Sequence, residues 1–319
     1  MGLFSFIGRL FGKRKRVGLG GFWRKEQTYQ VEFETIFSNN SSHEKNLNII
    51  HPLPYDSDVQ KVTAPFVFNQ PPHEEYRDEK FHNHYALFRL QLPPGKQQVI
   101  KINFHLKVTP EEKILSHFSL DDYHHNPSPH LEANRFLIVN EEIKRIAAEL
   151  VGNDKNLESI LKKINHYVIE KLHYGNPIRG LYSSEESLRL KKVDCGGFDT
   201  LFVSICLALG IPARIVSGFW LGYPHNSMHA WVEVMLPDGI WIPADPSVEK
   251  LQQEKRTKKE GRLGCLGSDR LRLSIGCDIP IPLDGRTNYL PILQHPVIFA
   301  REGLTGLEVQ TDCRSQITL

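Results

Sequence analysis

Residues 194–220 read DCGGFDTLFVSICLALGIPARIVSGFW, and this stretch decides the fold. Its pattern predicts a helix over Phe198–Leu209, which Gly210 and Pro212 bring to an end. Residues 214–220 predict a strand because β-branched and aromatic side chains are frequent among them. The Asp-Cys-Gly-Gly sequence at residues 194–197 directly precedes this helix, so it lies at or near the amino terminus of the helix.

The neighbouring segments extend this arrangement. Apolar residues at three- and four-residue spacing predict two helices before the stretch, and alternating residues predict two strands after it. Helices first and antiparallel strands afterwards are typical of an α+β domain. The predicted helices are Glu141–Val151 and Asn156–Leu172, the second capped by Asp154, and the later strands are His229–Leu236 and Ile240–Ala244.

The rest of the chain divides by composition. Residues 27–108 alternate with a period of two over short stretches separated by turn residues, which predicts a small all-β sandwich domain. Residues 109–131 contain three prolines and four histidines without lasting periodicity, and we interpret them as a linker. Residues 1–26 then form a tail and residues 132–319 the α+β domain. Within that domain the charged run Glu249–Arg262 predicts a solvated loop or an exposed helix.

The five cysteines are too few and too scattered for a disulfide framework, and no pair has the C-x-x-C spacing of a zinc site. Cys195 differs from the others by its position, because the N–H groups at a helix amino terminus favour a thiolate. Cys206 lies inside the predicted helix and is interpreted as a core residue. Cys195 is therefore the candidate nucleophile, and it requires a base.

The turn at residues 236–239, Leu-Pro-Asp-Gly, sets the register of the hairpin that contains His229. Proline suits the second position of a type I turn and glycine the left-handed position after it, so opposed residue numbers sum to 476. Asp245 then falls opposite Trp231, one diagonal step from His229 on the same face of the sheet. The register predicts a His–Asp pair, whose carboxylate would orient the imidazole and leave its other nitrogen for the thiol.

These segments, in this order, resemble the core of the transglutaminase-like superfamily. The resemblance rests on DCGGF at 194–198, LGIPARIVSG at 209–218, HAWVEV at 229–234 and WIPADPS at 241–247. It implies a papain-like fold, in which the cysteine opens a helix packed on an antiparallel sheet, and the catalytic triad Cys195, His229 and Asp245. The preceding β-sandwich is similar to the amino-terminal β domain of bacterial members. The chain departs from the family at Val193, where many members have glycine, and at Ser247, where threonine is commoner.

The predicted reaction is acyl transfer or hydrolysis at a peptide or glutamine carboxamide bond of a protein or peptide substrate. Cys195 would attack the carbonyl carbon, its backbone N–H would help to hold the oxyanion, and His229 would protonate the departing amine. Water or a lysine amine would resolve the thioester, and the sequence leaves both open. Candidates for the second oxyanion donor are Tyr174 and Asn176. Three aromatic residues could wall a substrate cleft or simply pack: Trp220, Tyr223 and Trp231.

Two other functions stay open. A catalytically silent binding module of the same fold would recruit a protein partner or a membrane, although the presence of all three triad residues favours an enzyme. His82 and His84 share a face of one predicted strand and could ligate a metal, but no third ligand is visible. We therefore predict neither a metal nor another cofactor.

The net charge of +2 combines a basic tail with a mildly acidic body. Residues 1–26 hold seven basic residues and one acidic residue, leaving 32 basic and 36 acidic residues in the remainder. On a helical wheel the first residues separate into apolar and polar arcs, and KRKR follows at 13–16. This pattern predicts that residues 2–16 bind an anionic membrane surface, the alternative being a frayed terminus.

Composition also narrows the partners and the compartment. The body lacks the basic stripe of a nucleic-acid binder, so nucleic acid is not expected as a partner. No apolar run approaches the 18 or so residues that span a bilayer, and the tail has the reverse order of a secretory signal. We expect a cytoplasmic protein that is peripheral at the membrane if its tail binds there.

Overall fold

The computed structural model describes residues 23–318, apart from 114, 116–117 and 124–127. The predicted membrane-binding segment, residues 2–16, lies outside this part of the chain. In the part that is described, no helix is long and apolar enough to cross a membrane.

The described ranges contain five α-helices, twenty strands and two 3₁₀ helices, Leu120–Asp122 and Pro129–Leu131. The helices are α1 (Glu141–Val151), α2 (Leu157–Lys171), α3 (Ser184–Leu190), α4 (Cys195–Ala208) and α5 (Pro246–Gln253). The strands are β1 (Gln27–Asn39), β2 (Lys45–Pro52), β3 (Gln60–Val62), β4 (Val67–Phe68), β5 (Glu74–Arg77), β6 (His84–Leu92), β7 (Gln97–Val108), β8 (Glu111–Glu112), β9 (His173–Tyr174), β10 (Lys192–Val193), β11 (Ala213–Trp220), β12 (Met228–Met235), β13 (Trp241–Ala244), β14 (Gly261–Arg262), β15 (Cys265–Leu266), β16 (Arg270–Ile275), β17 (Ile279–Leu283), β18 (Arg286–Leu290), β19 (Val297–Ala300) and β20 (Leu307–Thr318).

Two antiparallel sheets form the sandwich at the amino-terminal end. One has the strand order β20-β1-β7-β3, with β4 also paired to β7, and the other has the order β19-β2-β6-β5. Alternate residues of β1, including Val31, Phe33 and Phe37, are buried between the sheets. The period-two alternation thus produces a half-buried strand, and the prediction of an all-β region before the α+β core is confirmed.

The last strands correct the predicted domain boundary. β20 pairs with β1 along the whole strand, from Thr28 opposite Thr318 to Asn39 opposite Leu307, and β19 pairs with β2. The prediction of residues 132–319 as one domain is therefore wrong for residues 297–318, which complete the sandwich. Residues 307–317 carry the alternation of a strand, but a sequence pattern does not show that the partner lies at the opposite end of the chain.

The α+β core is built on a third antiparallel sheet with the order β13-β12-β11-β16. Helix α4 packs on this sheet through a shared apolar core that contains Phe198, Phe202 and Val232. Phe219 of β11 and Leu271 of β16 belong instead to the apolar core of the sandwich. The sheet is therefore covered by helices on one part and by the sandwich on another, which confirms the predicted α+β class.

The register of the hairpin that contains His229 agrees with the prediction. β12 and β13 pair with residue numbers that sum to 476, as predicted, from Val232 opposite Ala244 to Met235 opposite Trp241.

The predicted cap of the second helix is wrong. Asn156, not Asp154, accepts from the backbone N–H at the start of α2. Both residues have suitable side chains, and the helix begins two residues later than the choice of Asp154 requires.

Candidate active site

Cys195 is the first residue of α4. Asp194 caps the helix, and its carboxylate accepts from the N–H of Gly197 at 3.4 Å and of Ile178 at 3.1 Å. A Cβ on Gly197 would lie 2.5 Å from the side chain of Val193, so the glycine allows the bulkier residue at the position where many family members have glycine. Cys195 is partly exposed, whereas the four other cysteines are buried and none forms a disulfide.

The electrostatic surroundings of Cys195 correct one expectation. Burial raises the pKa of its thiol well above the usual value, and the nearby carboxyls of Asp194 and Asp199 add to the rise. The backbone N–H of Ala230, the residue after His229, lies at the sulfur and opposes the effect. The prediction that the helix start favours a resting thiolate is therefore wrong. Burial and the capping carboxylate outweigh the helix dipole, so a base must remove the thiol proton.

His229 lies near the start of β12, and Asp245 directly follows β13. His229 Nε2 is 2.8 Å from Asp245 Oδ2, and both side chains are buried. The contact follows from the register of the hairpin, which the turn at residues 236–239 sets. Because Asp245 takes the Nε2–H, the neutral imidazole carries its free lone pair on Nδ1, the nitrogen suited to receive a thiol proton.

Asp245 is held by four hydrogen bonds. Oδ2 accepts from His229 and from Arg270 Nη2 at 2.8 Å, while Oδ1 accepts from Ser247 Oγ and Val248 N at 3.1 Å each. Burial alone would raise the pKa of Asp245, but His229 and Arg270 hold it well below its usual range. Asp245 is thus an ionised, fixed acceptor. Ser247 supplies the hydroxyl that the commoner threonine would supply.

The imidazole of His229 is fixed on its other sides by ring packing and by its backbone. Its ring stacks on Trp220 with 4.5 Å between centroids, and Trp231 lies at 6.1 Å. Gln294 Nε2 donates to the carbonyl oxygens of His229 and Gly218, each at 2.7 Å. The two tryptophans are buried, which agrees with packing, one of the two roles considered for them, and they position the histidine.

Lys259 is a site residue that sequence reasoning missed. Its Nζ lies 4.0 Å from the ring centre of Trp220 and 4.5 Å from that of Tyr223. Burial lowers the pKa of Lys259 to about 8. The prediction of 249–262 as a solvated loop or exposed helix is therefore wrong from Lys259 onward, while Arg256 and Lys258 are exposed in a loop. Helix α5 ends at Gln253, and the chain then returns to the site through Lys259 and Gly261.

The candidate oxyanion donors differ in their position relative to Cys195. The backbone N–H of Cys195, as the first in its helix, has no acceptor within the helix. Tyr174 lies close enough to Cys195 that the cysteine, after burial, is the next cause of its raised pKa, so the hydroxyl stays a donor. Asn176 instead directs its side-chain amide to the carbonyl of Lys192 at 3.3 Å. Of the two predicted donors, Tyr174 is the one placed beside the thiol.

The histidines considered for a metal site do not share a strand face. His82 has a φ of 60° in the turn before β6, and His84 Nε2 lies 2.9 Å from Glu75. In the described residues no group of three or more potential ligands is arranged to hold a metal ion.

A partly exposed thiol at a helix start, beside a buried His–Asp pair on an antiparallel sheet, defines the general class of papain-like thiol enzymes. A family model described as the transglutaminase-like superfamily matches residues 144–246, which contain all three residues. The similarity to this superfamily thus covers the segment that carries the site.

One solved structure supports the same fold. A candidate cysteine protease from Cytophaga hutchinsonii superimposes with a TM-score of 0.60 at 14% identity, covering 92% of each chain. The periplasmic domain of TgpA from Pseudomonas aeruginosa matches at 15% identity over 73% of this chain and 94% of its own, with a TM-score of 0.38 that is too low to support a comparison. A search of curated proteins gave no match.

Proposed function

We propose that the protein is a cysteine acyltransferase or hydrolase that acts on peptide or glutamine carboxamide bonds through Cys195, His229 and Asp245. The observation that carries the proposal is the buried His229–Asp245 hydrogen bond of 2.8 Å on the strand whose next residue, Ala230, meets the Cys195 sulfur. A nucleophile, a base and a group that orients the base are the three parts that covalent acyl transfer requires.

The protonation states set the first step. Burial, together with Arg270 and Lys259, lowers the pKa of His229 although Asp245 acts to raise it, while the pKa of the Cys195 thiol is raised. Both groups are therefore neutral at rest. The thiol proton passes to His229 Nδ1 as sulfur forms its bond to the carbonyl carbon, and the carbonyl oxygen becomes an oxyanion. The Cys195 N–H and the Tyr174 hydroxyl are the donors proposed to hold it.

The second step releases the amine and leaves a thioester. The proton on His229 goes to the departing nitrogen as the carbon–nitrogen bond breaks. Water or a primary amine then attacks the thioester carbon and gives its proton to His229, and the sulfur leaves and is reprotonated. Asp245 keeps its charge throughout and stabilises the imidazolium in both halves of the reaction.

The test is incubation of a glutamine-containing casein with a fluorescent primary amine. Amine incorporation would support a transferase, and release of ammonia or peptides without incorporation would support a hydrolase. Cys195→Ala should abolish either signal. Cys313→Ala, which removes a buried thiol from β20, should retain it. Equal signals from the Cys195→Ala variant and the unmodified protein would contradict the proposal.

The silent binding module is the second candidate. It predicts a folded protein whose casein reaction is zero and whose Cys195 is as slow toward iodoacetamide as the buried Cys206. The site offers no observation that favours it, because all four hydrogen bonds that orient Asp245 are formed.

A further inference from the structure

Arg270 is a buried cation that the catalytic steps above do not use. It begins β16, and its side chain is 2% exposed. Nη2 donates to Asp245 Oδ2 at 2.8 Å and to the carbonyl of Glu260 at 2.6 Å, and Nη1 donates to Asp269 Oδ1 at 3.0 Å. The guanidinium carbon also lies 4.3 Å from the ring centre of Trp220. One side chain therefore joins the acid of the proposed triad to the loop that carries Lys259 and to the ring on which His229 stacks.

The atoms around the contact between Arg270 and Asp245 are closely packed. Gly261 follows Glu260, and a Cβ there would lie 2.6 Å from Arg270 Nη2 and 2.8 Å from Asp245 Oδ2. Asp245 Oδ2 is thus shared between the imidazole and the guanidinium, with backbone closing the third side. The positive charge of the guanidinium therefore offsets part of the effect of the Asp245 carboxylate on the imidazole.

We propose that Arg270 is a positioning residue: it fixes Asp245 against His229 and compensates the charge of Asp245. The proposal rests on the proposed function for its effect on catalysis, but its effect on the protonation of His229 is separate.

Charged groups of both signs surround His229. Asp245 is its direct partner, while Arg270 and Lys259 both oppose protonation of the imidazole. Asp269 pairs with Arg270 and accepts from the Tyr223 hydroxyl at 2.7 Å. On the cysteine side, the carboxyls of Asp194 and Asp199 lie near Cys195, and Asp199 also interacts with Asp245. Groups of both signs therefore surround the imidazole, and Arg270 offsets part of the negative charge. Loss of the arginine charge would leave one carboxylate uncompensated.

Arg270→Gln should therefore make His229 easier to protonate. An uncompensated opposite charge at this distance shifts a pKa by one unit or more, so we expect the titration midpoint of His229 to rise by about one pH unit or more. The acid limb of the pH–rate profile should move upward with it. Because the Arg270 side chain is only 2% exposed, kcat should fall by about tenfold or more while KM stays within about twofold.

The experiment is an NMR titration of the full chain labelled in its histidine rings, with the His229 signal assigned by its loss in His229→Gln. Arg270→Lys keeps one charge but cannot bridge all three acceptors, so it should give a smaller upward shift. Arg301→Gln removes an exposed arginine near β19 and should leave the midpoint unchanged. If Arg270→Gln does not fold, as thermal unfolding would show, Arg270→Lys decides the question.

An unchanged His229 midpoint in every folded Arg270 variant would overturn the proposal. A shifted midpoint in a protein that turns over no substrate would support the proposal and contradict the proposed function instead. Normal turnover in the unmodified protein with no shift in the variants would leave the proposed function standing and remove Arg270 from it.

Discussion

Asp245→Asn tests the orientation of the histidine most directly, because the change removes one charge at almost constant volume. The amide oxygen can still accept from Ser247 and from the N–H of Val248, where the carboxylate accepts at 3.1 Å. The Oδ2 side loses its two charge-assisted bonds, to His229 and Arg270, each 2.8 Å long. Hydrogen bonds to charged groups contribute roughly 1.5–3 kcal/mol each, which predicts a loss of about 3–6 kcal/mol in the free energy of unfolding. This range overlaps the roughly 3–5 kcal/mol known for breaking a buried ion pair.

Asp245→Asn should also greatly reduce the catalytic rate. An amide nitrogen facing His229 Nε2 would favour the wrong tautomer, and the equivalent change in a serine protease triad lowers kcat by about 10⁴. Stability is measured by urea unfolding at pH 7 and activity by amine incorporation or peptide release. Asp58→Asn is the matched control, because Asp58 is exposed. It should stay within about 0.5 kcal/mol of the unmodified protein.

The pH dependence gives an internal check. The pKa of Asp245 is lower in the folded protein than in the unfolded chain, so the charge stabilises the fold above the unfolded pKa of about 3.9. That stabilisation is lost as the pH falls through the lower folded value. The stability difference between the two proteins should be constant from pH 5 to pH 7 and shrink below about pH 4. An Asn variant within 1 kcal/mol of the unmodified protein, with more than about a tenth of its activity, would refute this account of the site.

Three further predictions follow from other contacts. Iodoacetamide should label Cys195 much faster than the buried Cys206, with a rate that rises as the pH increases above neutrality; equal rates at both positions would contradict the nucleophile assignment. Gly218→Ala should destabilise the fold by about 3 kcal/mol or more, since a Cβ would lie 1.6 Å from the Leu271 carbonyl oxygen at the irregular step between β11 and β16, and a melting temperature unchanged from the unmodified protein would disprove this. Deletion of residues 2–16 should abolish co-sedimentation with anionic vesicles, whereas unchanged binding would remove the membrane prediction.

The sequence predicted those parts of the site that depend on local geometry. A helix start fixes the place of Cys195, and a four-residue turn fixes the register that brings His229 to Asp245. Both require only short stretches of chain. The direction of the Cys195 pKa was predicted wrongly because the helix dipole was weighed without the burial of the thiol, although Asp194, which contributes to the rise, adjoins it in the sequence.

Contacts between distant segments could not be predicted in this way. Arg270 reaches the acid, Gln294 reaches the histidine, and Lys259 reaches the tryptophan that stacks on the histidine. They come from a strand and from loops whose paths are set by tertiary packing. The run that carries Lys259 has the composition of a solvated surface, and its lysine is distinguished from its neighbours only by the two aromatic rings it meets. Likewise, the alternation of β20 identifies a strand without identifying β1 as its partner.

The pairing of β20 with β1 also bears on when the protein can finish folding during synthesis. β1 is among the first described segments to leave the ribosome and β20 is the last of them, so the edge of β1 stays open until residues 307–318 have emerged. Strand edges left open in this way are sites of aggregation, which gives a chain broken off before residue 307 a reason to be insoluble even though Cys195, His229 and Asp245 are all present in it.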